Sequence, residues 1–272
     1  MGMVVRTNTM GINANRQLNM NNSQVSKSLE KLSSGFRINR AGDDASGLAI
    51  SEKMKAQIKG LEQASANAQD AISLVQTAEG ATTEIHNMLN RMVELTTKAA
   101  NGIYDSGVDR PAIKAELDAL ATEISRITES TNFNNTTLLD GTLNTQLQIG
   151  SEGTDTLTVT VTALDAGSLG VSGLSVDDAA AANSAMATVK AAINTVSTAR
   201  ANLGAIQNRL EYTINNLDTT AENMSAANSR IRDTDMAKEM MNYTKMNVLT
   251  QAAQAMLAQA NQQPQSVLQL LQ

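Results

Sequence analysis

Seven apolar residues recur at intervals of seven in the second half of the chain: Val189, Val196, Leu203, Leu210, Leu217, Met224 and Ile231. A second row, Ala192, Ala199, Ile206, Thr213, Thr220 and Ala227, follows three positions behind it. A repeat of 3.5 residues keeps one seam of an α-helix facing a partner along its whole length. At about 1.5 Å per residue the seam from 189 to 231 spans roughly 60 Å. Gly204 weakens it locally, but no proline interrupts it. The pattern predicts a long helix that is paired rather than merely amphipathic. It resumes after Lys245 with Met246, Leu249, Ala253, Met256 and Ala260.

The first half carries a matching row. Met54, Leu61, Ala68, Val75, Thr82 and Leu89 repeat every seven residues, with Ile58, Ser65 and Ile72 as the second position. From Ile85 the seam runs on through Met88, Met92, Leu95 and Ala99, and Gly102 ends it. Another helix is expected from about Pro111 to Glu129, with Ile113, Leu117, Leu120, Ile124 and Ile127 on its apolar face. Proline suits a first helical turn. The segment STNFNNTTLLDGT then reads as a loop. Between the helical halves, TLTVTVTAL (156–164) alternates strictly, which is the period of a strand. Leu147 and Ile149 begin a similar alternation, so a β-hairpin is expected at about 142–164. No Lys or Arg lies between Arg126 and Lys190, where seven acids do, and this stretch is expected to form an exposed acidic tip. The fold class is therefore mainly α: long antiparallel helices in coiled-coil or bundle packing, with a small β-hairpin region. Aromatic residues make up only 2% of the chain, against 14 Met, which favours narrow helix seams over a thick core.

Several function classes are excluded. Cysteine is absent, so no disulfide, zinc-thiolate site or thiol nucleophile is possible. His86 is the only histidine, which removes His-based triads and multi-His metal sites within one chain. The phosphate-loop, dinucleotide and HExxH patterns do not occur. Asp43-Asp44 is the one local acid cluster; its position at a helix start reads as capping, and the calcium-loop spacing is missing. No enzyme and no cofactor are expected. No apolar run is long enough to span a bilayer, so membrane insertion is not expected. The N-terminus lacks the apolar core of a secretory signal, which points to export without a cleaved signal peptide. Residues 1–42 carry six Lys/Arg against Glu30 alone, but the arm is rich in Asn and Ser with no stacking ring beyond Phe36, so nucleic acid is not expected.

Both ends look helical and unfinished. From residue 244 onward the only charge is Lys245, and Val267, Leu268, Leu270 and Leu271 crowd the tail. An apolar stretch like this must be covered, by the N-terminal arm, by another subunit or by both. Leu18, Val25, Leu29 and Leu32 are the candidates in the arm, and Met246, Leu249 and Met256 join them from the tail. Pro264 is expected to break the last helix.

Four segments then converge on a family. LSSGFRINRAGDDASGLAISEKM (32–54), NRLEYTINNL (208–217), SRIRDTDMAKEM (229–240) and QAMLAQANQQPQSVLQLL (254–271) resemble bacterial flagellin, collinearly and over nearly the whole chain except about 140–185. The short middle resembles the forms that lack large variable outer domains. The chain ends Leu270-Leu271-Gln272 where many relatives end Leu-Leu-Arg, and it opens with a longer leader before the first helix.

The resemblance implies a structural subunit that self-assembles into the extracellular flagellar filament for swimming motility. It implies that 1–34 and 236–272 form an inner helical domain, 35–46 a connector, and 47–235 an outer helical domain carrying the hairpin. In the connector, Gly35, Gly42 and Gly47 would let the chain turn, Asp43 and Asp44 would cap the next helix, and Arg37 and Arg40 would pair with acids. Implied partners are further copies of the chain, the flagellar export apparatus and a secretion chaperone, the filament cap and hook-junction proteins, and a host toll-like receptor. The segment LNRMVELTTKAANG (89–102) resembles the stretch that receptor reads, which places Leu89, Arg91 and Leu95 at the contact with Glu116 beside them. The alternative is a binding module with similar helical ends, such as a coiled-coil adhesin or a hook–filament junction protein.

Overall fold

The computed structural model describes residues 7–105 and 107–270, with the backbone alone described over 263–270. Five helices carry most of the chain: α1 (Thr9–Ser34), α2 (Ala45–Ala99), α3 (Asp109–Ser130), α4 (Ala179–Arg232) and α5 (Met236–Leu270). Two small antiparallel sheets lie between α3 and α4 in sequence. One pairs β1 (Asn132–Phe133) with β2 (Thr136–Thr137), the other β3 (Asn144–Gln148) with β4 (Thr156–Thr160). By contact the chain divides into two units. The first holds the residues up to Ala56 and from Asn223 onward; the second holds Gln57–Glu222.

The second unit is built on the heptads. Leu61 and Ala64 of α2 cluster with Leu217 of α4, and Ala68 and Ala71 cluster with Leu210. Seven steps forward along α2 are matched by seven steps back along α4, so the helices run antiparallel. Val75, Ala78, Thr82, Ile85, Leu89 and Met92 continue the buried row in α2, as do Val189, Ala192, Val196, Ala199 and Leu203 in α4. In α4 the seam alternates a larger side chain with alanine from Val189 to Leu203, whereas in α2 alanines dominate from Ala64 to Ala78 and larger side chains from Ile85 to Met92. In α2 the second buried position falls three residues after the first, at Ala64, Ala71 and Ala78. Of Ile58, Ser65 and Ile72, expected at the second position, Ser65 is buried, whereas Ile58 and Ile72 are half-buried beside the seam. Buried hydroxyls are satisfied within the helix: Thr82 donates to the Glu79 carbonyl (2.9 Å) and Thr96 to that of Met92 (2.9 Å). Across the pair, Ser65 Oγ donates to Asp218 (3.0 Å).

α3 adds Ile113, Leu117, Ala121 and Ile124 to the same core. The hairpin forms where the alternation placed it, in the register Leu147↔Leu157 and Thr145↔Val159, with Leu157 and Val159 turned inward. The expected loop after α3 is in part a second hairpin. Asn134 (φ 47°) and Asn135 (φ 63°) form its two-residue turn, and asparagine tolerates that left-handed conformation. Leu138 and Leu139 then enter the core with no exposure.

The acidic stretch is not the exposed tip its charge implied. Residues 161–178 have no helix or strand, yet Val161, Leu164, Leu169, Val171 and Val176 are buried in the main cluster. The acids occupy the turns instead, where the Asp165 carboxylate accepts the N–H groups of Gly167 (3.1 Å) and Ser168 (3.2 Å).

In the first unit α1 packs along α5. The Gly35 carbonyl accepts the Thr234 N–H (2.9 Å) at one end, and the Asn8 side chain donates to the Ala260 carbonyl (2.8 Å) at the other, so this pair is also antiparallel. α5 continues through Pro264 to Leu270. The expectation of a break fails for a local reason. A proline at 264 leaves the carbonyl four residues earlier, that of Ala260, without its helical N–H. That carbonyl is the one Asn8 satisfies.

Candidate assembly surface and connector

The pair α1–α5 has little interior of its own: on α1 only Gly11 and Ser28 are buried. Leu18, Val25, Leu32 and Met246 are half-buried, whereas Leu29 (53%), Leu249 (40%) and Met256 (65%) are exposed. The side chains of Val267, Leu268 and Leu270, and the whole of Leu271, lie outside the described residues. The arm and tail also expose Met10, Ile12, Met20, Met240, Met241 and Val248, none of which the sequence reading singled out. Among the described residues, twelve of the fifteen large apolar side chains that lie exposed belong to this unit. Two shallow depressions of about 500 Å³ follow the helices. One is lined by Ile12, Asn15, Met20 and Ser23, the other by Met240, Met241, Thr244, Lys245, Val248 and Leu249. An amphipathic helix normally buries its apolar stripe; here much of it faces outward.

Asn8 fastens the two ends of the chain. Its Oδ1 caps α1 by accepting the Gly11 N–H (2.9 Å), while its Nδ2 reaches Ala260. A Cβ on Gly11 would stand 2.9 Å from Asn8 Nδ2 and 3.3 Å from Asn261 Oδ1, so only glycine leaves the lock undisturbed.

The connector is two-sided. α1 ends at Gly35, which adopts a left-handed φ of 75° and donates to the Lys31 carbonyl, a conformation that costs glycine least. Phe36 then bridges Asp233, and the Arg37 N–H donates to the Arg232 carbonyl (2.7 Å). The return leg from α4 to α5 is thus half of the connector, a half that residues 35–46 alone did not reveal. Arg232 is its central side chain: it pairs with Glu52 (2.5 Å) and lies 4.7 Å over the Phe36 ring. The signal for it in the sequence was the loss of the heptad after Ile231, just before Asp233 and Asp235. Asp235 caps α5 through the Lys238 N–H (3.1 Å).

The other connector residues divide their tasks. Asp44 caps α2, accepting the Gly47 N–H (2.9 Å) and the Ser46 hydroxyl (3.0 Å). Asp43 serves the preceding turn instead, accepting the N–H groups of Arg40 (3.1 Å) and Asn39 (3.2 Å). These bonds hold both carboxyls below the ordinary carboxylate pKa. The Arg40 and Asn39 N–H groups are the main cause for Asp43, the Gly47 N–H and Ser46 hydroxyl for Asp44. Arg40 pairs with Glu30 (3.0 Å), whereas Arg37 donates to the Ile231 carbonyl (2.6 Å) rather than to an acid. Gly47 does not turn the chain; it sits in the first turn of α2, where a Cβ would collide with Asp44 and Ile38. Gly42 has neither a positive φ nor a close neighbour.

On the second unit, Arg91 joins Glu94 (2.8 Å) on its own helix to Glu116 (2.9 Å) on α3, all three exposed. The two glutamates raise the Arg91 pKa still further, hydrogen bonding to Glu94 first. Leu89 and Leu95 are in the core, at 0% and 3% exposure. They support this patch from beneath, and only Arg91 and Glu116 of the four present side chains to a visitor. Lys98, stacked 5.3 Å over Tyr104, rims the same depression.

Comparison with known proteins matches the two helical regions of the sequence, each of which contributes to both units. Residues 5–144 match the bacterial flagellin N-terminal helical region, and residues 186–271 the bacterial flagellin C-terminal helical region. The unmatched stretch between them holds β4 and the irregular buried segment. The flagellin of Halalkalibacterium halodurans is 51% identical over 274 residues, covering 99% of this chain and 100% of the relative. That of Bacillus subtilis is 50% identical over 303 residues, with the same coverage. Among solved structures, the crystal structure of Bacillus cereus flagellin is 34% identical, covers 60% of this chain and 94% of its own, and superposes with a TM-score of 0.50.

Proposed function

The chain belongs to the bacterial flagellins, the structural subunits of the flagellar filament, and from that premise we propose that it polymerises through the outward apolar stripes of α1 and α5 into an extracellular helical filament that serves swimming. The observation that carries the reading is the concentration of exposed large apolar side chains on the terminal helix pair. Burying one Leu or Met side chain contributes about 1.5–3 kcal/mol. Several at each subunit contact offset the entropy of ordering long helices. Residues 1–34 and 236–272 form the assembling domain, tied through 35–46 to residues 47–235.

Several partners accompany this role. Before assembly the same stripes need cover, which suits a secretion chaperone and delivery by the flagellar export apparatus without a cleaved signal peptide. At the ends of the filament they meet the cap and the hook-junction proteins. The Arg91–Glu116 patch, exposed over the packed core of the second unit, suits recognition by a host toll-like receptor.

Purified protein seeded with filament fragments in salt is expected to elongate into long tubes visible by electron microscopy. A junction protein or adhesin would stay monomeric under the same conditions, and that outcome rejects the filament reading.

A further inference from the structure

Among the described residues, every exposed methionine lies in the first unit: Met10, Met20, Met236, Met240, Met241 and Met256, at 48–67% exposure. In the second unit Met92 is fully buried, and Met88 and Met186 are half-buried. The chain has no cysteine, so thioethers are its only sulfur atoms. The accessible sulfur is therefore gathered on the one surface that assembly needs.

We propose that these six methionines are an oxidation site through which peroxide closes the assembly surface of the free subunit, reversibly. The inference rests on assembly through α1 and α5. The sulfur lone pair attacks one peroxide oxygen; an S–O bond forms and the O–O bond breaks. The second oxygen leaves as hydroxide and takes up the proton released by the sulfur-bound OH, giving water and the neutral sulfoxide. Methionine is oxidised by two electrons and the peroxide is reduced by two. The product is a polar sulfoxide in place of a flexible apolar side chain. At Met240 and Met241 it adds a strong acceptor to a depression whose only charge is Lys245. Burying such a group without a donor opposes association. Once a subunit is incorporated the same sulfurs are covered, so the window for oxidation closes on assembly. Methionine sulfoxide reductases return the thioether, and with it the apolar surface.

The test treats purified monomer and preformed filaments separately with hydrogen peroxide and maps oxidation by peptide mass spectrometry. In the monomer the six exposed methionines are expected to oxidise first, with Met92 spared; in filaments they are expected to be protected. Treated monomer should keep its helical circular dichroism yet show about a tenfold or greater rise in the concentration needed to elongate seeds, the scale of one unsatisfied buried polar group. Incubation with the two sulfoxide reductases should restore elongation. A variant with all six changed to leucine, close in volume, is read by the ratio of its elongation with and without peroxide: that ratio should stay at one whatever its own rate, and a ratio that falls as in the wild type would overturn the proposal. Uniform oxidation across the chain, or unimpaired elongation by oxidised monomer, would overturn the proposal while the filament reading stands. Untreated monomer that never elongates would overturn both.

Discussion

At the scale of single residues, two acids that look alike in sequence differ in consequence. Asp44 holds the first turn of α2 and Asp43 the turn before it, and the N–H and hydroxyl groups they accept hold both carboxyls below the ordinary aspartate pKa. A carboxyl whose pKa is depressed in the folded state favours folding above its unfolded pKa, and that contribution disappears as pH falls through the folded value. The start of α2 should therefore be fully held at neutral pH and loosen only in acid, as pH falls below the ordinary aspartate pKa and through the lowered folded one. Protection of the Gly47 amide from hydrogen exchange is the measurement. Asp44→Asn keeps a capping oxygen but cannot titrate, so it should remain protected at neutral pH and lose the acid dependence. A second residue-scale contrast separates recognition from folding. Leu95→Ala empties a core position and should cost about 2–5 kcal/mol of stability. Arg91→Ala removes only the exposed bridge to Glu94 and Glu116; it should lower receptor signalling by the monomer with no change in circular dichroism. Equal signalling by wild type and Arg91→Ala would remove Arg91 from the contact.

At the scale of elements, legibility followed period. The heptads of α2 and α4 could be read because burial there repeats every 3.5 residues over several turns, and the strict alternation at 156–160 gave β4 for the same reason. What escaped lacks a period. The irregular 161–178 segment buries its valines and leucines at uneven spacing, and its acids drew attention outward. The β1–β2 turn rests on two asparagines in a run of polar residues. The connector's second leg belongs to a distant part of the chain, so Arg232 and Glu52 had no local mark beyond the break in the repeat. The alanines of the seam were visible as a row in α4 but were misplaced in α2, where bulkier Ile58 and Ile72 drew the second position one residue on. Ala71, at 2% exposure, sits beside Ala68 and Leu210 where the helices approach. Ala71→Leu should therefore destabilise the second unit by about 1–3 kcal/mol through overpacking, although leucine is the better heptad residue by hydrophobicity. Urea unfolding followed by circular dichroism decides it; a stabilised variant would mean that the seam has slack.

At the scale of the whole molecule, the core and the proposed assembly surface belong to different parts of one chain. The second unit owns the large core cluster, whereas the first unit carries twelve of the fifteen exposed large apolar side chains among the described residues. A change confined to the tail should therefore alter polymerisation without altering the main unfolding transition. Truncation after Gln263 removes Pro264 and the apolar end, and it leaves the Ala260 carbonyl and its Asn8 partner in place. The shortened chain is expected to unfold at the same temperature as the full one, since no residue of the main cluster is lost, yet to fail to elongate filament seeds. Asn8→Asp is the companion variant. The carboxylate still caps α1, but it presents a charged acceptor to the Ala260 carbonyl where a donor is needed, so the lock between the ends opens with the tail intact. If the tail's own apolar residues drive growth, Asn8→Asp should slow elongation and the truncation should abolish it. Normal filaments from the truncated chain would show that the α1–α5 stripes before residue 264 suffice. Loss of growth in Asn8→Asp equal to that of the truncation would place the decisive requirement in the fastening of the two ends rather than in the tail's burial.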